Sequence, residues 1–111
     1  MHHSVHAIAS CGVSPIVRTP SAESWFIKRA LDAGAHGVLL PLLRTAEDAR
    51  DIVQACKFPP RGQRGFGSPF SMAAFNSTGE LSGLEYMQNA NDHLLTIVQI
   101  ETREALANVG D

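Results

Sequence analysis

Gly37-Val38-Leu39-Leu40-Pro41-Leu42-Leu43 is an unbroken apolar run. It is too short for a helix of ordinary length and shows no polar alternation, so it reads as a strand buried on both faces. Two other stretches have the same character. Pro15-Ile16-Val17-Arg18 is a short strand of this kind, and Leu94 to Ile100 is a longer one. Strands of continuous apolar residues, separated by helices, specify a parallel sheet with both faces covered.

The segments between these strands carry a helical period. Val5, Ile8, Ala9 and Gly12 fall at i, i+3, i+4, i+7, on one face of a helix ending at Gly12. Ser21 is the expected N-cap of the next helix, with Glu23 placed favourably against its dipole. Ile27, Ala30, Leu31 and Gly34 continue that helix, and Gly34 suits the left-handed position just past its end. Thr45 caps a third helix, with Asp48 in the reciprocal position of a capping box. Ala49, Ile52, Val53 and Cys56 form its apolar face, and Pro59-Pro60 ends it. Residues 58–80, rich in Pro and Gly, read as a long loop of the kind that tends to carry function. Ser82-Gly83-Leu84-Glu85 is a capping box for a helix running to about Asn91, and Thr102 caps a last helix. The predicted order is α-β-α-β-α-loop-α-β-α.

A three-stranded parallel sheet with two open edges is a poor stopping point. The pattern therefore favours a segment of a larger α/β protein. An independent flavodoxin-like domain would need five strands, and three are visible. The 111 residues have a formal net charge of -2 and no basic stripe, which argues against a nucleic-acid partner. No basic amphipathic segment suggests a membrane surface, and no apolar run approaches the about 20 residues of a membrane span. Met1-His2-His3-Ser4 does not open a signal peptide. Cys11 and Cys56 lack metal-type spacing and read as free thiols in a reducing, cytoplasmic setting. Asn76-Ser77-Thr78 matches a glycosylation acceptor, expected to be inert without a secretory route.

Sites in parallel α/β proteins form at the carboxyl ends of strands. The first strand ends at Arg18, whose guanidinium either stabilises an enolate or carboxylate oxygen or makes a surface ion pair. The second ends at Arg44, which reads as structural. The third ends Val98-Gln99-Ile100-Glu101. A carboxylate there costs free energy unless it is paired or binds a metal, and oxygen ligands suit Mg²⁺ or Mn²⁺. Helix capping is the competing role for Glu101. Gln99, two residues earlier, points to the same side of the strand. Gly62-Gln63-Arg64-Gly65-Phe66-Gly67 fits neither dinucleotide nor P-loop patterns; Arg61 and Arg64 are left as residues of a pocket edge or a subunit contact. His2, His3 and His6 read as a solvated helix face. His36 and His93 sit beside strand starts, away from the expected catalytic end.

Several stretches together resemble the HpcH/HpaI aldolase/citrate lyase family. They are Ser14-Pro15-Ile16-Val17-Arg18, Leu31 to Val38, Phe58-Pro59-Pro60-Arg61-Gly62-Gln63-Arg64-Gly65-Phe66-Gly67, Ala90-Asn91-Asp92, and Ile97-Val98-Gln99-Ile100-Glu101-Thr102. They follow the family's order and nearly its spacing, over almost the whole chain. The resemblance implies an incomplete (β/α)₈ barrel over 1–111, truncated at both ends, with these three strands as the third to fifth. It implies metal-dependent cleavage of 4-hydroxy-2-oxo acids to pyruvate and an aldehyde, with Mg²⁺, Mn²⁺ or Co²⁺ as cofactor. On this resemblance Arg18 is the catalytic arginine, which also contacts the substrate, Glu101 is one of two metal carboxylates, and Gln99 lines the substrate site, with Arg64 a further substrate-binding candidate. It also implies a homo-oligomeric full-length parent.

The family's catalytic His and its second metal carboxylate have no counterpart here, so no general base is expected in this chain, and the chain alone is expected to be inactive. An oxaloacetate-decarboxylating relative uses the same enolate logic. A non-catalytic product that binds full-length barrels is the other alternative.

Overall fold

In a computed structural model, residues 1–75 and 81–111 are described, so the Asn76-Ser77-Thr78 acceptor lies outside the described residues. The elements are α1 (His2–Ser10), β1 (Ile16–Arg18), α2 (Ser24–Asp32), β2 (Gly37–Leu40), α3 (Ala46–Cys56), a 3₁₀ turn (Ala73–Phe75), α4 (Gly83–His93), β3 (Leu95–Val98) and α5 (Arg103–Ala107). The three strands are parallel, in the order β1-β2-β3. Ile16, Gly37 and Leu95 lie in one row of the register, and Arg18, Leu39 and Ile97 in another.

The two faces of this sheet differ. Val38 and Leu40 are fully buried and join Ile27, Leu31, Ile52, Phe58 and Tyr86 in one core, with Val17 and Val98 packed against it. Helices α2 and α3 pack side by side on that face. On the opposite face, Ile16 is 42% and Leu95 52% exposed. No described element covers it, which corrects the expectation of a sheet buried on both sides. A closed barrel reconciles the two observations, because its interior face is filled by strands across the barrel. Gly37 is required on this face: an added Cβ would lie 2.8 Å from Ile16 Cδ1 and 2.8 Å from Leu95 O.

Most helix ends follow the local chemistry. Thr45 and Asp48 form a reciprocal capping box, as do Ser82 and Glu85, and the Thr102 hydroxyl accepts from Ala105 N. Gly34, at φ +101°, closes α2 with two backbone bonds, Ala35 N to Ala30 O (3.2 Å) and Gly34 N to Leu31 O (3.0 Å). Ser21 does not cap α2. That helix starts later, with Glu23 as N-cap, and the Glu23 carboxylate accepts from Trp25 Nε1 instead. The Ser21 carbonyl is taken by the Thr19 hydroxyl, in a turn that delays the helix. The predicted face of α1 is mostly open: Val5 is buried, but Ile8 is 40% exposed. Strands two and three are shorter than their apolar runs. Pro41 has no amide to continue the ladder, and Leu42 turns to φ +57°.

Candidate active site

The carboxyl end of the sheet gathers three of the four candidate residues. Arg18 closes β1, and the next amide, Thr19 N, still donates to Leu39 O at 3.1 Å, which holds the strand end against β2. The side chain then reaches past β2: Arg18 Nε donates to Gln99 Oε1 at 3.0 Å. Gln99 is itself held by its backbone, with its N donating to Leu40 O (2.9 Å) and its O accepting from Leu43 N (3.3 Å). Arg18 therefore makes a hydrogen bond to a neutral amide, and it has no ion pair among the described residues. Glu101 Oε1 accepts from Leu42 N at 2.9 Å, linking the ends of β3 and β2. Helix capping is not its role, because Thr102 caps α5.

Arg64 lies elsewhere. Its side chain is 1% exposed, and its Nη2 is 3.4 Å from Asp32 Oδ1. The guanidinium carbon stands 4.4 Å from the centre of the Phe58 ring and 5.3 Å from that of Tyr86. Asp32 ends α2, on the side from which β2 starts, so Arg64 belongs to the amino end of the sheet. It shares no hydrogen bond with Arg18, Gln99 or Glu101 among the described residues. Lys28 Nζ pairs with the same aspartate at 3.0 Å. Burial pushes the Tyr86 phenol up from its ordinary value, against the opposing pull of Arg64. Arg61 is exposed and pairs with Asp92, holding that carboxyl below its usual range.

Asn91 fastens this loop to α4. Its Oδ1 accepts from Phe58 N at 2.7 Å, and its Nδ2 donates to Phe58 O at 3.0 Å. Lys57 Nζ donates to Asn91 O. The histidines also stay away from the carboxyl end. His36 Nε2 is 2.8 Å from Ala74 O, with its ring stacked on Phe75. His2 packs on His6 and Phe70, and His6 is half-buried, so α1 is not a wholly solvated face.

A hard divalent cation suits the oxygen of Glu101, but one carboxylate is a partial site. Among the described residues no group of three or more His, Cys, Asp and Glu is placed to hold a metal. Leu42 escaped the sequence reading, since nothing marks a leucine for a left-handed backbone.

The fold and these strand ends define one sector of a parallel α/β barrel whose carboxyl face carries an arginine, a glutamine and a glutamate. The profile of the HpcH/HpaI aldolase/citrate lyase family matches residues 1–111, and the chain belongs to that family. It is 43% identical over 103 residues to a hydroxypyruvate/pyruvate aldolase of Agrobacterium fabrum, covering 92% of this chain and 37% of that protein. It is 38% identical to a 2-keto-3-deoxy-L-rhamnonate aldolase of Klebsiella pneumoniae, covering 98% of this chain and 39% of the relative. The crystal structure of an HpcH/HpaI aldolase from Desulfitobacterium hafniense superposes with a TM-score of 0.80 at 31% identity, over 97% of this chain and 40% of that one. Macrophomate synthase matches with a TM-score of 0.74 at 26% identity, over 98% of this chain and 39% of that one. The chain thus spans well under half the length of these relatives and has the fold of part of their barrel.

Proposed function

We propose that this chain carries the enolate-stabilising part of a divalent-metal-dependent aldolase that cleaves 4-hydroxy-2-oxo acids to pyruvate and an aldehyde. The observation that carries the reading is the 3.0 Å bond from Arg18 Nε to Gln99 Oε1, two residues before Glu101. It holds a permanent cation over the carboxyl edge of the sheet, where a barrel binds its substrate. In the cleavage the C3–C4 bond breaks and its electron pair stays on C3. The 4-hydroxyl proton leaves to a base, and C4 becomes the aldehyde carbon. Charge develops on the C2 oxygen, and Arg18 is the group that meets it; C3 of the enolate then takes up a proton to give pyruvate. Gln99 orients Arg18 for this. Mg²⁺, Mn²⁺ or Co²⁺, when bound, supplies Lewis acidity to the 2-oxo acid, with Glu101 as one carboxylate ligand. The base comes from outside this chain, because none of its described histidines lies at the strand carboxyl ends. Two free thiols fit a cytoplasmic setting, and no described helix is long and apolar enough to cross a membrane. The exposed face of the sheet supports a working unit larger than this segment, in a homo-oligomeric parent.

A chimera tests the reading. This chain replaces the matching segment of the Agrobacterium fabrum aldolase, and pyruvate release is followed with Mg²⁺ or Mn²⁺, with and without chelator. Chelator-sensitive turnover is expected in the chimera and none in the 111-residue chain alone. Turnover by the chimera that survives chelation would sink the metal role of Glu101.

A further inference from the structure

Four buried polar atoms at the amino end of the sheet have no hydrogen-bond partner among the described residues. They are Arg64 Nε, Arg64 Nη1, Ser71 Oγ and Tyr86 Oη. Arg64 is 4% exposed, Ser71 0% and Tyr86 3%. Separate parts of the chain supply them: Arg64 and Ser71 come from the loop after α3, and Tyr86 from α4. The Tyr86 hydroxyl lies beside both Arg64 and Ser71 but forms a well-aligned bond with neither. An orphaned buried polar group costs free energy and is uncommon, so a cluster of them calls for a shared partner.

The chemistry of the cluster selects that partner. A guanidinium donates and never accepts. Burial keeps the Tyr86 phenol protonated, so it too has a hydrogen to give, and the Ser71 hydroxyl adds another. A water placed here would have to direct its own hydrogens at groups that are mostly donors. Charge leads to the same answer. Arg64 Nη2 and Lys28 Nζ share the Asp32 carboxylate, at 3.4 and 3.0 Å. Two cations thus meet one anion, and Asp32 engages neither Nε nor Nη1. The Phe58 and Tyr86 rings, 4.4 and 5.3 Å from the guanidinium carbon, offset part of the charge but leave those N–H groups without an acceptor. A buried cation with incomplete pairing is costly, and an added negative charge relieves that cost.

We propose that Arg64, Tyr86 and Ser71 form an internal binding site for a small monovalent anion of the halide class, which fastens residues 58–75 to α4. A ligand that binds only the folded chain stabilises it, so occupation of this site ties the stability of the loop to the chloride concentration.

The test is thermal unfolding of the 111-residue chain at matched ionic strength, in sodium chloride and in sodium gluconate, whose anion is too large to be enclosed. Tyr86→Phe and Ser71→Ala keep the packing and remove one hydroxyl each. In gluconate each variant loses an orphaned group and should be at least as stable as wild type. In about 0.2 M chloride the order should reverse, with the variants melting about 5 °C below wild type. Arg61→Ala removes an exposed cation from the same loop and should respond to chloride as wild type does. If the offset of either variant from wild type is the same in both salts, the proposal is overturned, and the donors are met by water or by one another. Loss of the chloride response in Arg61→Ala would place the anion on the surface and overturn it equally. In crystals grown with bromide, an anomalous peak is expected at hydrogen-bond distance from Arg64, Tyr86 Oη and Ser71 Oγ. Peaks on exposed side chains alone would mean an adventitious ion only, and the site would be rejected.

Discussion

Two arginines stand at opposite ends of one small sheet, and their surroundings differ in every respect that matters. Arg18 is exposed, bonded to a neutral amide and unpaired with any described carboxylate. Arg64 is buried, paired with Asp32 and set over two aromatic rings. A cation held without a counter-ion at an open strand end remains available to a developing anion. One that is enclosed by its own carboxylate and ring faces is committed to the fold. The comparison therefore finds an available cation at the carboxyl end and a loop anchor at the amino end.

The largest expected effect breaks the comparison if it fails. In the chimera, Arg18→Ala should lower the turnover number by about 10²–10³-fold, the range for removal of one oxyanion partner. Its unfolding free energy should change by less than about 0.5 kcal/mol, as for surface sites. Near-normal turnover would remove Arg18 from the site. Arg64→Ala should do the reverse and destabilise the fold by about 2–4 kcal/mol in urea unfolding, since it leaves Asp32 with Lys28 alone and exposes two rings. A loss below about 0.5 kcal/mol would show that the buried pair is dispensable.

A smaller change sharpens the amino-end side. Asn91→Ala removes both hydrogen bonds to Phe58 and should cost about 1–2 kcal/mol, with the resonances of Arg64 and its neighbours shifting while those of Arg18 stay. Shifts that reach Arg18 would mean the two ends are coupled. The smallest effect is in pH. Burial raises the Cys56 thiol and the Tyr86 phenol, so both are held neutral in the fold. Their folded values lie above the unfolded ones, so this contribution is complete at neutral pH. It is lost as pH rises past about 8.5, where the unfolded thiol begins to ionise, and through the raised folded values. Unfolding followed from pH 7 to 10 under reducing conditions should show that decline, and Cys56→Ala should delay its onset. An identical profile in the variant would remove Cys56 from the account.

Much of this architecture was readable from residue order. The three apolar runs became three parallel strands. Thr45, Ser82, Thr102 and Gly34 act at the helix ends where their side chains or lack of one placed them. Ser21 misled because a neighbouring hydroxyl, Thr19, captured its carbonyl before a helix formed. The strand ends misled because apolarity does not reveal where Pro41 and Leu42 leave the ladder. That Arg18, Gln99 and Glu101 lie together at the carboxyl end of the sheet was legible from their position at strand ends. The burial of Arg64 was not, because its partners Asp32, Phe58 and Tyr86 are far from one another along the chain. The donor for Glu101 is a backbone amide, and no side-chain pattern announces one.

The most direct test needs no knowledge of the aldehyde. Pyruvate is incubated with the chimera in D₂O, and loss of the C3 methyl proton signal reports enolate formation alone. The account predicts exchange that stops with chelator and falls sharply in both Arg18→Ala and Glu101→Ala. Exchange that continues unchanged in Arg18→Ala, or in the presence of chelator, would contradict it.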